Sequence, residues 1–175
     1  MKYIISFIGI VGLICILIFC PNNNNEKVNS EYLRIHIRAN SNSEQDQEVK
    51  YKVKEGVVDA LIPLICEAQS KDEATEIINK NMNLIERVAD EILRKEGFEY
   101  TSKGSVKNEE FPTRVYEDLT LEEGYYDALI LNLGSGKGDN WWCVVYPPLC
   151  FLSTNNSTNY VYISKIWEII NSVTN

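Results

Sequence analysis

The chain has 175 residues, 45% of them hydrophobic, and a formal net charge of −8. That supports one domain of ordinary size with a packed core. An acidic chain without a basic cluster is a poor match for nucleic acid or an anionic membrane surface, so no nucleic-acid partner is expected.

Taken in order, Met1-Lys2 precedes an uncharged apolar run from Tyr3 to Cys20, closed by Pro21. One positive charge ahead of an apolar stretch fits an export signal. Its length lies between a signal core and the ~20 residues of a membrane-spanning helix. Residues 1–21 are therefore expected to be a signal peptide or an N-terminal apolar anchor helix, with the chain after Pro21 outside the membrane. Residues 22–30 read as a polar linker.

Leu33, Ile35 and Ile37 alternate with Arg34, His36 and Arg38, which predicts a strand with one buried and one wet face. The turn Asn40-Ser41-Asn42-Ser43 ends it. Ser43-Glu44-Gln45-Asp46 then has the form of a capping box, and Val49, Val53, Val57, Leu61 and Leu64 make a helical stripe, with Pro63 marking its end or a kink. A second capping box, Ser70 to Glu73, opens the longest predicted helix, with Ile78, Asn81, Ile85, Val88 and Ile92 on one face. Gly97-Phe98 reads as its left-handed stop. Short strands are expected near Phe98–Ser102 and Thr113–Tyr116, and a stronger one at Tyr125–Leu133.

The last leads through the glycine-rich turn Gly134–Asp139 into Trp141–Tyr146, an aromatic and β-branched run without polar alternation. That composition predicts a central, doubly covered strand, paired with the preceding one as a hairpin. Pro147-Pro148 ends it. The expected fold class is α+β: a mixed or antiparallel sheet of about four to five strands, two long helices packed on one face, and the N-terminal apolar helix. Beyond Leu152, residues 153–175 read as a polar linker and a short amphipathic helix bearing Ile163, Ile166, Trp167, Ile170 and Val173.

Candidate chemistry is sparse. Gly134-x-Gly136-x-Gly138 fits neither phosphate-binding fingerprint, because a strand follows it and offers no helix N-terminus. Cys143 with His36, the sole histidine, could be drawn as a nucleophile and its base. Burial in an apolar strand makes a thiol inert, however, and two flanking arginines disfavour imidazolium. A Cys143–Cys150 disulfide is the competing reading for an exported protein. One histidine and no Cys-x-x-Cys make no metal set, and the acidic pairs Glu109-Glu110, Glu117-Asp118 and Glu122-Glu123 read as solvated surface. No catalytic, cofactor or metal residues are expected.

The block Gly136 to Phe151 (GKGDNWWCVVYPPLCF) resembles the signature of the stage II sporulation protein R family. Leu33 to Gln47 (LRIHIRANSNSEQDQ) and Phe111 to Tyr116 (FPTRVY) are similar to further family blocks, so residues 31–152 read as a domain of that kind. The resemblance implies a non-enzymatic signalling protein of endospore formation, exported from the forespore into the space between the two membranes. It implies a partner there, a membrane-embedded aspartic protease of the mother cell that processes the sigma-E precursor. A contact surface is expected at the hairpin tip and strand exit, through Lys137, Asn140, Trp141 and Trp142, with the Asn40–Ser43 turn (Asn40, Asn42) as the next candidate. The other readings are an extracytoplasmic small-ligand-binding module and a thiol hydrolase using Cys143.

Overall fold

The computed structural model describes residues 31–116 and 119–148. The apolar segment 1–21, the linker 22–30, Glu117-Asp118, Cys150 and the tail 153–175 lie outside these described residues. The elements in chain order are β1 (Leu33–Arg38), α1 (Glu44–Ile65), α2 (Lys71–Lys80), α3 (Met82–Lys95), β2 (Ser102–Phe111), β3 (Arg114–Tyr116), β4 (Leu119–Leu121), β5 (Gly124–Leu133) and β6 (Asn140–Tyr146).

The expected α+β class with a mixed sheet is present. Four strands run in the order β2-β5-β1-β6, and β3-β4 form a separate two-stranded ladder. β1 is parallel to β5 and antiparallel to β6, while β2 and β5 are antiparallel.

Both capping boxes start their helices as predicted: Ser43 accepts from the Asp46 amide at 3.2 Å, and Ser70 accepts from that of Glu73 at 3.1 Å. Gly97 (φ 84°) stops α3, with the Phe98 amide donating to the Leu93 carbonyl at 2.9 Å. The two expected long helices are three. The sequence from Lys71 to Lys95 breaks at Asn81, which leaves the helical region and turns its side-chain amide onto the Ile77 carbonyl at 2.8 Å. An asparagine that bonds its own backbone competes with helix continuation. The longest helix is α1, which contains Pro63 in its last turn.

The expected hairpin between β5 and β6 does not form. β1 is inserted between them, so the glycine-rich loop crosses over the C-terminal end of β1 instead of reversing in place. For the same reason β6 is not central: among the described residues it stands at one end of the strand order, and β1 and β5 hold the middle. The strand expected near Phe98–Ser102 instead starts at Ser102 and runs ten residues, through Lys103, Lys107, Glu109 and Glu110. Pairing with β5 overrides this poor β-composition, since strand preference depends on context. The first outward amides of β2 are covered by α3: Ser102 donates to Asp90 at 2.6 Å and Gly104 to Glu86 at 2.8 Å.

The helices pack on one face of the sheet. There Val49, Val53, Val57, Leu61, Ile78, Ile85 and Leu93 meet Leu33, Ile35, Ile37, Leu129, Leu131 and Val145. Gly56 allows close helix contact, because a Cβ there would lie 2.5 Å from the Ile92 Cδ1. The opposite face, expected to be wet along β1, is enclosed as well. Phe111, Leu121, Tyr126, Ala128, Ile130 and Val144 form a second core with Tyr116, Leu119 and Trp142 packed on it. Arg34 and His36 are buried beneath it.

Candidate functional site

Two places on this frame carry the polar residues. The first is the end of the sheet where the glycine-rich loop crosses β1. Both backbones meet there, and the contact is tight enough to fix residue type. A Cβ on Gly138 would sit 2.2 Å from the Ser41 carbonyl oxygen. Gly134 (φ 55°) and Gly136 (φ 61°) take left-handed conformations that side chains disfavour.

The crossing is sewn by hydrogen bonds. The Gly138 amide donates to the Ala39 carbonyl at 2.8 Å, and the Ser135 amide to the Asn40 Oδ1 at 2.9 Å. The Asp139 amide donates to the Asn42 Oδ1 at 2.6 Å, while the Asn42 amide donates back to Asp139 at 3.2 Å. Lys50, buried in α1, reaches Gln47 at 2.7 Å and the Asp139 carbonyl at 3.1 Å. Burial pulls its pKa below the ordinary lysine value, and the nearby Asp139 charge opposes that.

Beneath the crossing lies Asp46, a buried carboxylate. It accepts from the Asn40 amide at 3.0 Å and from the hydroxyls of Ser41 and Tyr100. Burial alone would raise its pKa. The donors Ser41, Tyr100, Asn40 and Ser43 outweigh burial and hold the carboxyl below its usual range. On the other side of that bond, burial and the Asp46 carboxylate push the Tyr100 phenol well up.

The turn and the loop, two separate expectations in the sequence, are thus one surface. Asn40 is largely consumed in holding it together. Asn42, Lys137 and Asn140 are exposed on it.

The second place is the far face of the sheet. His36 and Trp142 are register partners there and stack with ring centroids 3.7 Å apart; Phe111 meets both rings edge-on, 5.8 Å from His36 and 4.7 Å from Trp142. The His36 Nδ1 lies 2.9 Å from Glu109, which also pairs with Arg38. Burial lowers the His36 pKa, reinforced by Arg38 and opposed by Glu109 and Asn140. The ring is therefore neutral, with the Nδ1 proton directed at the carboxylate. Arg114 also lies over Trp142, 5.8 Å from its ring centre.

Trp141 points the opposite way, into the helix-side core, with the Lys54 ammonium 5.8 Å from its ring centre. The two tryptophans divide between the faces as strand alternation requires. Each is half-buried, so neither is a wholly free anchor.

Cys143 is buried with the helix-side core, opposite Ile35 in register. The sheet therefore separates it from His36, and the nucleophile–base pair drawn from sequence is not assembled. Its proposed disulfide partner Cys150 lies outside the described residues, and Cys66 carries a free thiol. Among the described residues no His, Cys, Asp and Glu group has the arrangement to hold a metal ion.

Sequence reasoning missed the enclosure of Arg34 and His36 on the far face and the pairing of His36 with Glu109, which was expected to be solvated surface. The available signal was aromatic: Phe111, Tyr116, Tyr126 and Trp142 all fall at positions that face Arg34 and His36.

The frame is a small α+β domain with a mixed four-stranded sheet, a hydrogen-bonded loop crossing at one end and a buried cation among aromatic rings. The family model for stage II sporulation protein R matches residues 29–156. A curated relative, stage II sporulation protein R of Bacillus subtilis (strain 168), is 36% identical over 124 residues, which covers 71% of this chain and 55% of the relative. The chain spans about half the length of that relative. No solved structure matches it. The chain belongs to the stage II sporulation protein R family, a family of sporulation proteins.

Proposed function

We infer that this protein is an exported signal of endospore formation, which activates the membrane-embedded aspartic protease that processes the sigma-E precursor. The family membership carries this reading. The uncharged run Tyr3–Cys20 behind a single lysine supports export, from the forespore into the space between the membranes. The protein acts as a ligand for the protease and not as an enzyme itself.

The surface that meets the protease is the sewn crossing. Asn42, Lys137 and Asn140 are displayed on a frame that Gly138, Asp46 and Lys50 hold in one shape. A rigid display loses little conformational entropy on binding, which favours affinity from a small area.

Co-expression of the full chain with the protease and the sigma-E precursor tests the reading, with precursor cleavage as the readout. Cleavage should require the chain with its first 21 residues or a replacement export signal. Lys137→Ala and Asn140→Ala should reduce cleavage with the melting temperature unchanged. Cleavage that is independent of the chain sinks the proposal; normal cleavage by both tip variants moves the contact off the crossing.

A further inference from the structure

Arg34 is fully buried in a central strand, and a guanidinium does not shed its charge in a protein. Its Nη2 donates to the Tyr116 hydroxyl at 2.9 Å, while Nε and Nη1 have no hydrogen-bond partner. The guanidinium carbon lies 4.2 Å from the Phe111 ring centre and 4.7 Å from that of Tyr126. Ring faces attract a cation but offer little as acceptors for its N–H groups.

Among the described residues, Glu109 is engaged by His36 and Arg38, and Glu122 accepts from Thr113 at 3.5 Å. A buried cation without an anion is costly to a fold, and apolar replacement of buried charge is often neutral or stabilising. Arg34 is therefore poorly explained by stability.

We propose that the far face of the sheet is a receptor for a carboxylate, carried on an acidic side chain of a protein partner and held by Arg34. Guanidinium and carboxylate are matched in charge and planarity. Tyr116 is the cover. It sits on β3, which among the described residues ladders only with β4 and not with the four-stranded sheet. Val115 beside it and Tyr125 on β5 are 67% and 63% exposed, the two most exposed large hydrophobic side chains among the described residues. Apolar surface next to a charged socket fits a protein partner better than a free small acid. This site lies apart from the Lys137 tip and stands whether or not the protease is that partner.

The test is thermal melting of the full chain at neutral pH, with sodium acetate, with the peptide acetyl-Gly-Glu-Gly-amide, and with sodium chloride at matched ionic strength. Saturable rises in melting temperature are expected with peptide and acetate, beyond any effect of chloride. Arg34→Met should abolish them while melting no lower than the wild type. No saturable rise, or an equal rise in Arg34→Met, overturns the site.

The peptide should saturate at lower concentration than acetate; the reverse overturns a protein side chain as the source. Glu117→Gln with Asp118→Asn separates the remaining alternative. If that variant melts lower than the wild type and acetate restores it, the anion is the chain's own and the proposal fails. A readout without substitution is the Arg34 Nε–H resonance, which should move during an acetate titration; a stationary resonance counts against binding.

Discussion

His36 stacks on Trp142 at 3.7 Å, enclosed on the face of the sheet away from the helices. Because His36 is the only histidine, this pair gives the molecule a titration that can be followed alone near neutral pH. Its folded pKa lies below the ordinary 6.5. The unfolded chain therefore binds a proton first as pH falls. Stability should be full above that ordinary value and decline as pH drops below it towards the folded pKa. Urea unfolding followed between neutral and mildly acidic pH should show this slope, and His36→Gln should flatten it. An unchanged slope in the variant would assign the titration elsewhere.

The tryptophans should separate by face. Trp142→Ala removes the His36 stack and the Phe111 edge contact, while Trp141→Ala opens the helix-side core near Lys54. Both are half-buried, so each should cost less than the ~3–5 kcal/mol of a fully buried aromatic. Only Trp142→Ala should release the imidazole and raise the His36 pKa, read by NMR. Equal pKa changes in the two variants would contradict the placement.

Asp46 should dominate acid sensitivity at the crossing. Its folded pKa is below the ordinary 3.8, so its contribution is present above that value and is lost as pH falls below it. Asp46→Asn should cost on the order of 2–3 kcal/mol in urea unfolding at neutral pH, since it weakens several bonds to a charged acceptor. Its acid limb should be shallower than that of the wild type. A variant as stable as the wild type would show that the hydroxyls of Ser41 and Tyr100 are satisfied without the charge.

Gly138→Ala places a methyl against the Ser41 carbonyl, a backbone atom that cannot rotate away. A loss of about 1–3 kcal/mol is expected, typical of overpacking. Lys137→Ala, one residue earlier but exposed, should stay within roughly 0.5 kcal/mol of the wild type. Hydrogen exchange should report loosening at Ser135 and Asp139, whose amides bond to Asn40 and Asn42, in the first variant only.

The elements that local chemistry controls are legible in the residues. Ser43 and Ser70 cap helices because a serine hydroxyl reaches an amide three residues on, and Gly97 stops one because it tolerates a positive φ. Alternation along Leu33–Arg38 and the opposed faces of Trp141 and Trp142 follow from the two-residue repeat of a strand. The long blocks around Leu33–Gln47 and Gly136–Phe151 also carried the family.

Features that depend on neighbours far away in sequence emerge only once the chain is packed. Alternation says that Arg34 and His36 share a face, but whether that face is wet depends on Phe111 and Tyr126 arriving from β2 and β5. Adjacency of β5 and β6 in the chain suggested a hairpin, yet β1, almost a hundred residues upstream, takes the place between them. A short glycine loop can either reverse a chain or step over one strand. The choice is made by pairing energy and apolar burial along β1, which both neighbours gain only when it lies in the middle.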